Sequence, residues 1–179
     1  FQVVLNMPEG TPLETTERVL DELSAVVRKL PEVTDFQAYA GTSAPINFNG
    51  LVRQYNLRQS AELGDLQVNL VDKHERDRKS HDIARDVRPA LAEIGRRYSA
   101  SVQVVEVPPG PPVQAPIVAE IYGASYGEQQ RVAAALRRQF DGTADIVDTD
   151  DSLETPSPRL IVAVDRSKAK CEVKYDGDP

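Results

Sequence analysis

The N-terminal part of the chain alternates between two hydrophobic periods, one typical of strands and one typical of helices. A period of two residues at 2–7, 33–39, 66–71 and 101–107 predicts four strands. Two amphipathic helices lie between them, with apolar stripes formed by Val19, Leu20, Leu23, Val26, Val27 and Leu30, and by Ile83, Ala84, Val87, Leu91, Ile94 and Tyr98. The order β-α-β-β-α-β predicts an α+β fold, a ferredoxin-like sandwich in which both helices cover one face of a four-stranded antiparallel sheet.

Capping signals place the helix ends. Thr11 stands three residues before Glu14 with Pro12 between them, which predicts a capping box with proline at the first helical position. Ser80 is the predicted N-cap of the second helix. Pro89 lies within that helix and predicts either a kink or a later start.

A second, incomplete βαββ unit follows. Strands are predicted at 117–122, 145–150 and 159–164, and Ser125 with Glu128 forms another capping box. The helix after it is expected to bury Val132, Ala133, Leu136 and Phe140. The chain starts inside a strand pattern without an initiator methionine, so we expect it to be excised from a longer protein.

A proline-rich connector separates the two units. Residues 107–116 contain five prolines, which exclude helix and interior strand, and Gly110 is the one loose point. The predicted hinge is formed by Pro108, Pro109, Gly110, Pro111 and Pro112. The predicted domains are therefore 1–110, 111–169 and an atypical tail at 170–179.

The stretch 41–58 shows neither period. A connection of this length inside a compact domain is usually functional or disordered, and its apolar residues argue against disorder. We expect Ile46, Asn47, Phe48 and Asn49 to contact a ligand or gate its passage. The alternative is that Ile46 and Phe48 only pack against the sheet and hold the loop in place.

Composition excludes several classes of protein. The 179-residue chain has a formal net charge of -7 with its arginines spread among acids, which argues against nucleic acid as a partner. Its single cysteine, Cys171, excludes an internal disulfide, and no apolar run is long enough to cross a bilayer.

Candidate chemistry is sparse. His74 and His81 lie among acids, and Asp148, Asp150 and Asp151 form a second acidic group, but neither spacing matches a compact metal site, so a solvated helix entrance and a turn are the better interpretations. An anion site of the acylphosphatase kind would combine Arg53 with Asn47 or Asn49, without a glycine-lined cradle. We therefore predict no catalytic residue, metal or cofactor.

Four motifs carry a family resemblance. They are M-P-E-G-T-P-L-E-T-T at 7–16, Y-A-G-T-S-A-P-I-N-F-N-G at 39–50, Q-V-N-L-V-D-K at 67–73 and V-E-V-P-P-G-P-P-V at 105–113. In this order they resemble the periplasmic porter region after the seventh transmembrane helix of resistance-nodulation-division (RND) efflux permeases of the acriflavine-resistance type. The likeness covers about residues 1–169, and the tail beyond it departs from the family pattern.

The resemblance implies a function. Such a chain is part of an integral membrane transporter, on the periplasmic side of the bacterial inner membrane, and captures amphiphilic substrates in a cleft between porter subdomains. The loop at 41–58 would take the place of the switch loop, and the expected partners are the rest of a trimeric permease, a periplasmic adaptor and an outer-membrane channel. Met7 is the only methionine, which argues against copper or silver as cargo. The alternatives are a stand-alone ferredoxin-like sensor of small molecules and a structural interaction module.

Overall fold

The computed structural model describes residues 1–45, 57–106, 115 and 117–153. Within them the chain forms four strands and three helices. In order these are β1 (Gln2–Asn6), α1 (Leu13–Val27), β2 (Val33–Ala40), β3 (Leu63–Leu70), α2 (Ser80–Arg97), β4 (Ser101–Val105) and α3 (Tyr126–Asp141).

The strands form one antiparallel sheet in the order β2-β3-β1-β4. This order and the βαββαβ sequence of elements confirm the predicted ferredoxin-like sandwich. The central strand β1 pairs with β3 and β4, so that Val4 lies opposite both Asp65 and Gln103. Strands β2 and β4 form the two edges.

The hydrophobic core lies between the sheet and helices α1 and α2. Val3 and Leu5 of β1 contribute to it, and because side chains alternate along a strand, Val4 faces the opposite side of the sheet. The helices contribute the predicted stripes, and the stripe residues that belong to this core are Val19, Leu20, Leu23, Val27, Ala84, Val87, Leu91 and Ile94. Gly95 lets α2 approach β4 closely, because a Cβ there would lie 2.8 Å from Cγ2 of Val102.

The predicted helix starts are only partly confirmed. The capping box at Thr11 is wrong, because its hydroxyl donates to the carbonyl of Pro8 at 2.5 Å and Pro12 occupies the N-cap. A late start at Pro89 is also wrong, since α2 runs from Ser80 through this proline. The cap of α3 is confirmed, because the Ser125 hydroxyl accepts a bond from the Glu128 N–H.

The second unit differs most from the prediction. Residues 117–122 and 145–150 are not strands, and α3 buries only Ala133 among its side chains, while Val132 stays 52 % exposed. A strand needs a partner strand for its backbone groups, and among the described residues neither segment pairs with one. The predicted strand at 159–164 and the tail lie outside the described residues. No helix in the described ranges combines the length and hydrophobicity needed to cross a membrane.

Candidate functional site

The long connection between β2 and β3 is fixed at both of its ends. Residues 46–56 lie outside the described part of the chain, but the flanks on either side of them are described. Gly41 donates its N–H to the Leu63 carbonyl at 2.8 Å and holds a φ of 71°, which favours glycine. Buried Thr16 of α1 donates its hydroxyl to the Ala61 carbonyl at 2.7 Å. The flanks therefore belong to the rigid sandwich.

Both flanks also meet at one buried carboxylate, Asp65 of β3. The Ala44 N–H donates to its Oδ2 at 2.8 Å, and the Gln2 amide donates to the same oxygen at 3.0 Å. From the other flank, the Arg58 guanidinium donates to Oδ1. Asp65 is fully buried, so these donors replace the water that an ionised carboxylate would otherwise bind.

Arg58 extends this contact to β1. Its Nη2 donates to the Leu5 carbonyl at 3.0 Å and to Oδ1 of Asn6 at 2.5 Å. One guanidinium thus joins the second flank to two strands of the sheet. We call Asp65, Arg58 and Ala44 the loop anchor, because together they hold both ends of the connection on the same spot.

The electrostatics of the loop anchor reflect its burial. Burial raises the pKa of the Asp65 carboxyl above its ordinary value, and the charge of Arg58 and the donated hydrogen bonds oppose this rise. The anchor therefore holds an ion pair with little access to solvent, since the Arg58 side chain is only 15 % exposed. Breaking such a pair leaves an unpaired charge with little access to water, so the anchor favours one position of the flanks.

The anchor lies on the face of the sheet that the helices do not cover. Across the strands, Tyr39, Asp65, Val4 and Gln103 form one row in register. Val4 is 1 % exposed and Gln103 is 6 % exposed, so the centre of this face is buried although it lies opposite α1 and α2. The Nε2 of Gln103 is a buried donor with no partner in the described part of the chain.

The predicted site residues cannot be placed beside this anchor. Ile46, Asn47, Phe48 and Asn49 lie outside the described residues, as do Arg53 and the hinge at Pro108, Pro109, Gly110, Pro111 and Pro112. The gating role, the hinge and the domain boundary at 110 stay predictions. Sequence reasoning missed Asp65 because the predicted strand began at Leu66, three residues after the actual start of β3 at Leu63.

The histidines and acids do not converge on one site. His81 contacts Glu106 through Nδ1 at 3.1 Å, whereas the N–H of His74 bonds to Asp72. Asp148 pairs with Arg88 and Asp151 pairs with Arg137. Across the described ranges no group of three metal-ligating side chains occurs.

Comparison with known proteins bears on the fold. No protein-family model and no curated protein matches the sequence. Among solved structures, the chain is similar to a heavy metal efflux pump in crystal form I, with a TM-score of 0.63 and 19 % identity, and in crystal form II, with 0.60 and 18 %. Each likeness covers 93 % of this chain and 17 % of the pump chain. The chain thus spans about a sixth of the length of these pumps and shares the fold of that portion.

Proposed function

We propose that this chain is the periplasmic porter part of an RND-type efflux transporter, where it captures substrate and gates its passage without catalysing a reaction. The observation that carries the proposal is the likeness in fold to part of a heavy metal efflux pump over 93 % of the chain. The ordered motifs at 7–16, 39–50, 67–73 and 105–113 support the same family.

The loop anchor suggests how the chain would perform this role. A gating loop needs fixed ends, and Asp65 accepts hydrogen bonds from both flanks of the connection, from Ala44 and from Arg58. In the proposal Ile46 and Phe48 form the apolar part of the gate, between the two anchored flanks. The prolines at 108–112 would let a neighbouring subdomain move as a rigid body relative to these fixed ends.

We propose amphiphilic organic compounds as the cargo. The similar pumps carry heavy metals, but in this chain Met7, the sole methionine, is 7 % exposed and packs in the hydrophobic core, where its thioether cannot meet a metal in a channel. The proposed setting is the periplasmic side of the inner membrane. The rest of a trimeric permease, an adaptor and an outer-membrane channel are the proposed partners.

A titration of a fluorescent amphiphilic dye with the chain, followed by polarisation, tests the proposal. We expect saturable binding that the double variant Ile46→Ala with Phe48→Ala weakens at least about tenfold, or ~1.4 kcal/mol. The matched control is Tyr122→Ala with Val132→Ala, which removes two exposed hydrophobic side chains elsewhere on the chain. This control should leave the affinity unchanged.

Other outcomes would contradict the proposal. Equal losses in both double variants would indicate non-specific adsorption to apolar surface. Absence of dye binding together with saturable binding of Cu(I) or Ag(I) would assign a metal as cargo. Binding that survives the loss of Ile46 and Phe48 would remove the loop from the substrate path.

A further inference from the structure

A second polar contact links the segment after α3 to the sheet. Oδ2 of Asp148 accepts a hydrogen bond from the Val104 N–H at 3.0 Å and also contacts Nη1 of Arg88. Arg88 belongs to α2, and its Nη2 donates to the Val104 carbonyl at 3.3 Å. Two side chains thus bind both backbone groups of a single residue of β4.

These bonds lie where the sheet would otherwise be open. Among the described residues β4 is an edge strand, so the outward N–H and carbonyl of Val104 have no neighbouring strand there to bind. Asp148 and Arg88 take the place of that strand. Asp148 can do so from a bend, because its φ is 55°, a left-handed conformation that aspartate tolerates better than most residues. This bend also explains why the predicted strand at 145–150 does not form.

The two parts that this polar contact joins, the sandwich and the segment that contains α3, share little hydrophobic core. The main contacts between elements join β1–β4 with one another and with α1 and α2, and α3 takes part in none of them within the described chain. Ala133 is the one buried side chain of α3. Units whose interface lacks an apolar core can move relative to one another, so the Asp148 contact can decide where α3 lies relative to the sandwich.

We propose that Arg88 and Asp148 form a releasable latch that holds the α3 segment, residues 117–153, against the edge of the sandwich. The inference concerns the coupling of the two parts and holds whatever the cargo is. The latch closes through the bonds of Asp148 to Arg88 and to the Val104 N–H, and it opens when Asp148 withdraws.

Release has a low cost because the groups on the sandwich side keep other partners. Oε1 of Glu106 already lies 3.8 Å from Nη2 of Arg88, so the guanidinium retains an acidic neighbour when Asp148 leaves. Glu106 also contacts His81, whose side chain is 69 % exposed. The Val104 N–H, at the sheet edge, can bind water. An ion pair with a ready substitute on one side suits a switch better than a permanent joint.

The test combines a distance and an exchange rate in the full chain. Spin labels are placed at Ala90→Cys in α2 and Ala134→Cys in α3, both at exposed positions, with Cys171→Ser removing the native thiol. Pulsed dipolar spectroscopy should give one narrow distance peak, and Asp148→Ala should abolish that peak in favour of a broad distribution. In the same variant the Val104 amide should lose its protection against hydrogen exchange.

Asp151→Ala is the matched control, because Asp151 pairs with Arg137 inside the α3 segment at 2.7 Å rather than with the sandwich. It should preserve both the peak and the protection. A narrow peak with a protected Val104 in Asp148→Ala would overturn the latch. If Asp148→Ala also exposes the amide of Leu66 in strand β3, the substitution has disturbed the sandwich itself, and Asp148→Asn is used instead. The asparagine keeps an acceptor for the Val104 N–H but has no charge for Arg88, so the label distance in Asp148→Asn then decides between the two outcomes.

Discussion

The Ala44 N–H donates a 2.8 Å hydrogen bond to Oδ2 of Asp65, a carboxylate without solvent exposure that lies 21 residues further along the chain. Arg58 approaches the same carboxylate from the opposite flank. A connection that follows no regular period therefore begins and ends on one point of the sheet. Its ends are set by the anchor, whatever conformation its middle adopts.

Removing the counter-charge of Asp65 should destabilise the fold strongly. Arg58→Met at pH 7 should lower the free energy of unfolding by about 3–5 kcal/mol, because it leaves a buried carboxylate without its cation. Urea denaturation followed by circular dichroism measures this change. Arg96→Met is the control, because Arg96 is 73 % exposed in its pair with Glu93 and such pairs contribute about 0–1 kcal/mol. Equal costs for the two substitutions would contradict the anchor.

The free energy of unfolding that is lost in Arg58→Met should depend on pH in a definite direction. Burial raises the pKa of Asp65 above 3.8, so the folded state binds this proton more tightly than the unfolded state. As pH rises through the window above 3.8, the group therefore lowers the free energy of unfolding, by up to about 1.4 kcal/mol per pH unit. Without Arg58 the pKa of Asp65 rises further, so stability is lost over a wider range of pH.

Unfolding curves of the wild type and Arg58→Met between pH 4 and pH 7 test this direction. The difference in the free energy of unfolding between the two proteins should be largest at neutral pH and should become smaller as the pH falls. Adding Asp65→Asn to Arg58→Met should restore much of the stability at pH 7 and remove this pH dependence. A difference that grows toward pH 4 would show that the carboxylate is stabilised by something other than Arg58.

A contact between α1 and the C-cap residue of α2, Tyr98, should be visible in the titration of this tyrosine. The Tyr98 hydroxyl donates to Oε1 of Glu22, and this bond raises the pKa of Tyr98 and lowers the pKa of Glu22. Glu22→Gln should move the Tyr98 pKa down toward its ordinary value, as followed by the ring carbon shifts in NMR. Glu93→Gln, an exposed acid on α2, should leave it unchanged.

Two glycines in helices should respond oppositely to alanine. A Cβ at Gly95 would lie 2.8 Å from Cγ2 of Val102 and 2.9 Å from the Ala100 carbonyl, so Gly95→Ala should cost about 1–3 kcal/mol despite its better helix propensity. A Cβ at Gly127 would meet nothing within 4 Å, so Gly127→Ala should be neutral or slightly stabilising. Thermal unfolding compares the variants, and a stabilised Gly95→Ala would contradict the close approach of α2 to β4.

Local periodicity predicted the sandwich well. The apolar stripes of α1 and α2 mark the helix faces that are buried, and the alternation at 2–7, 33–39, 66–71 and 101–107 marks the four strands. Their ends shifted by a few residues, and this small error concealed Asp65. A charged residue on an inward position of a strand is a signal of function or anchoring, but it is visible only when the strand bounds are right.

The second unit shows where periodicity fails. Residues 117–122 and 145–150 alternate as strands do, yet they are not strands in the structure, because alternation marks a face and does not supply a partner strand. Of this unit, the Ser125 cap was predictable, since a cap depends on neighbours within one turn. Burial of Val132 was not, since it depends on a surface distant in sequence.

By itself the sequence determined the fold class and, within the sandwich, the order of the elements and the buried faces of α1 and α2, because each depends on spacings within one helix or strand. The tertiary structure alone decided that Asp65 joins Ala44 to Arg58 and that Asp148 reaches Arg88 and Val104. These residues are separated by up to 60 positions and carry no shared period. Only the antiparallel register of the sheet and the packing of α2 on β4 bring them within hydrogen-bonding distance.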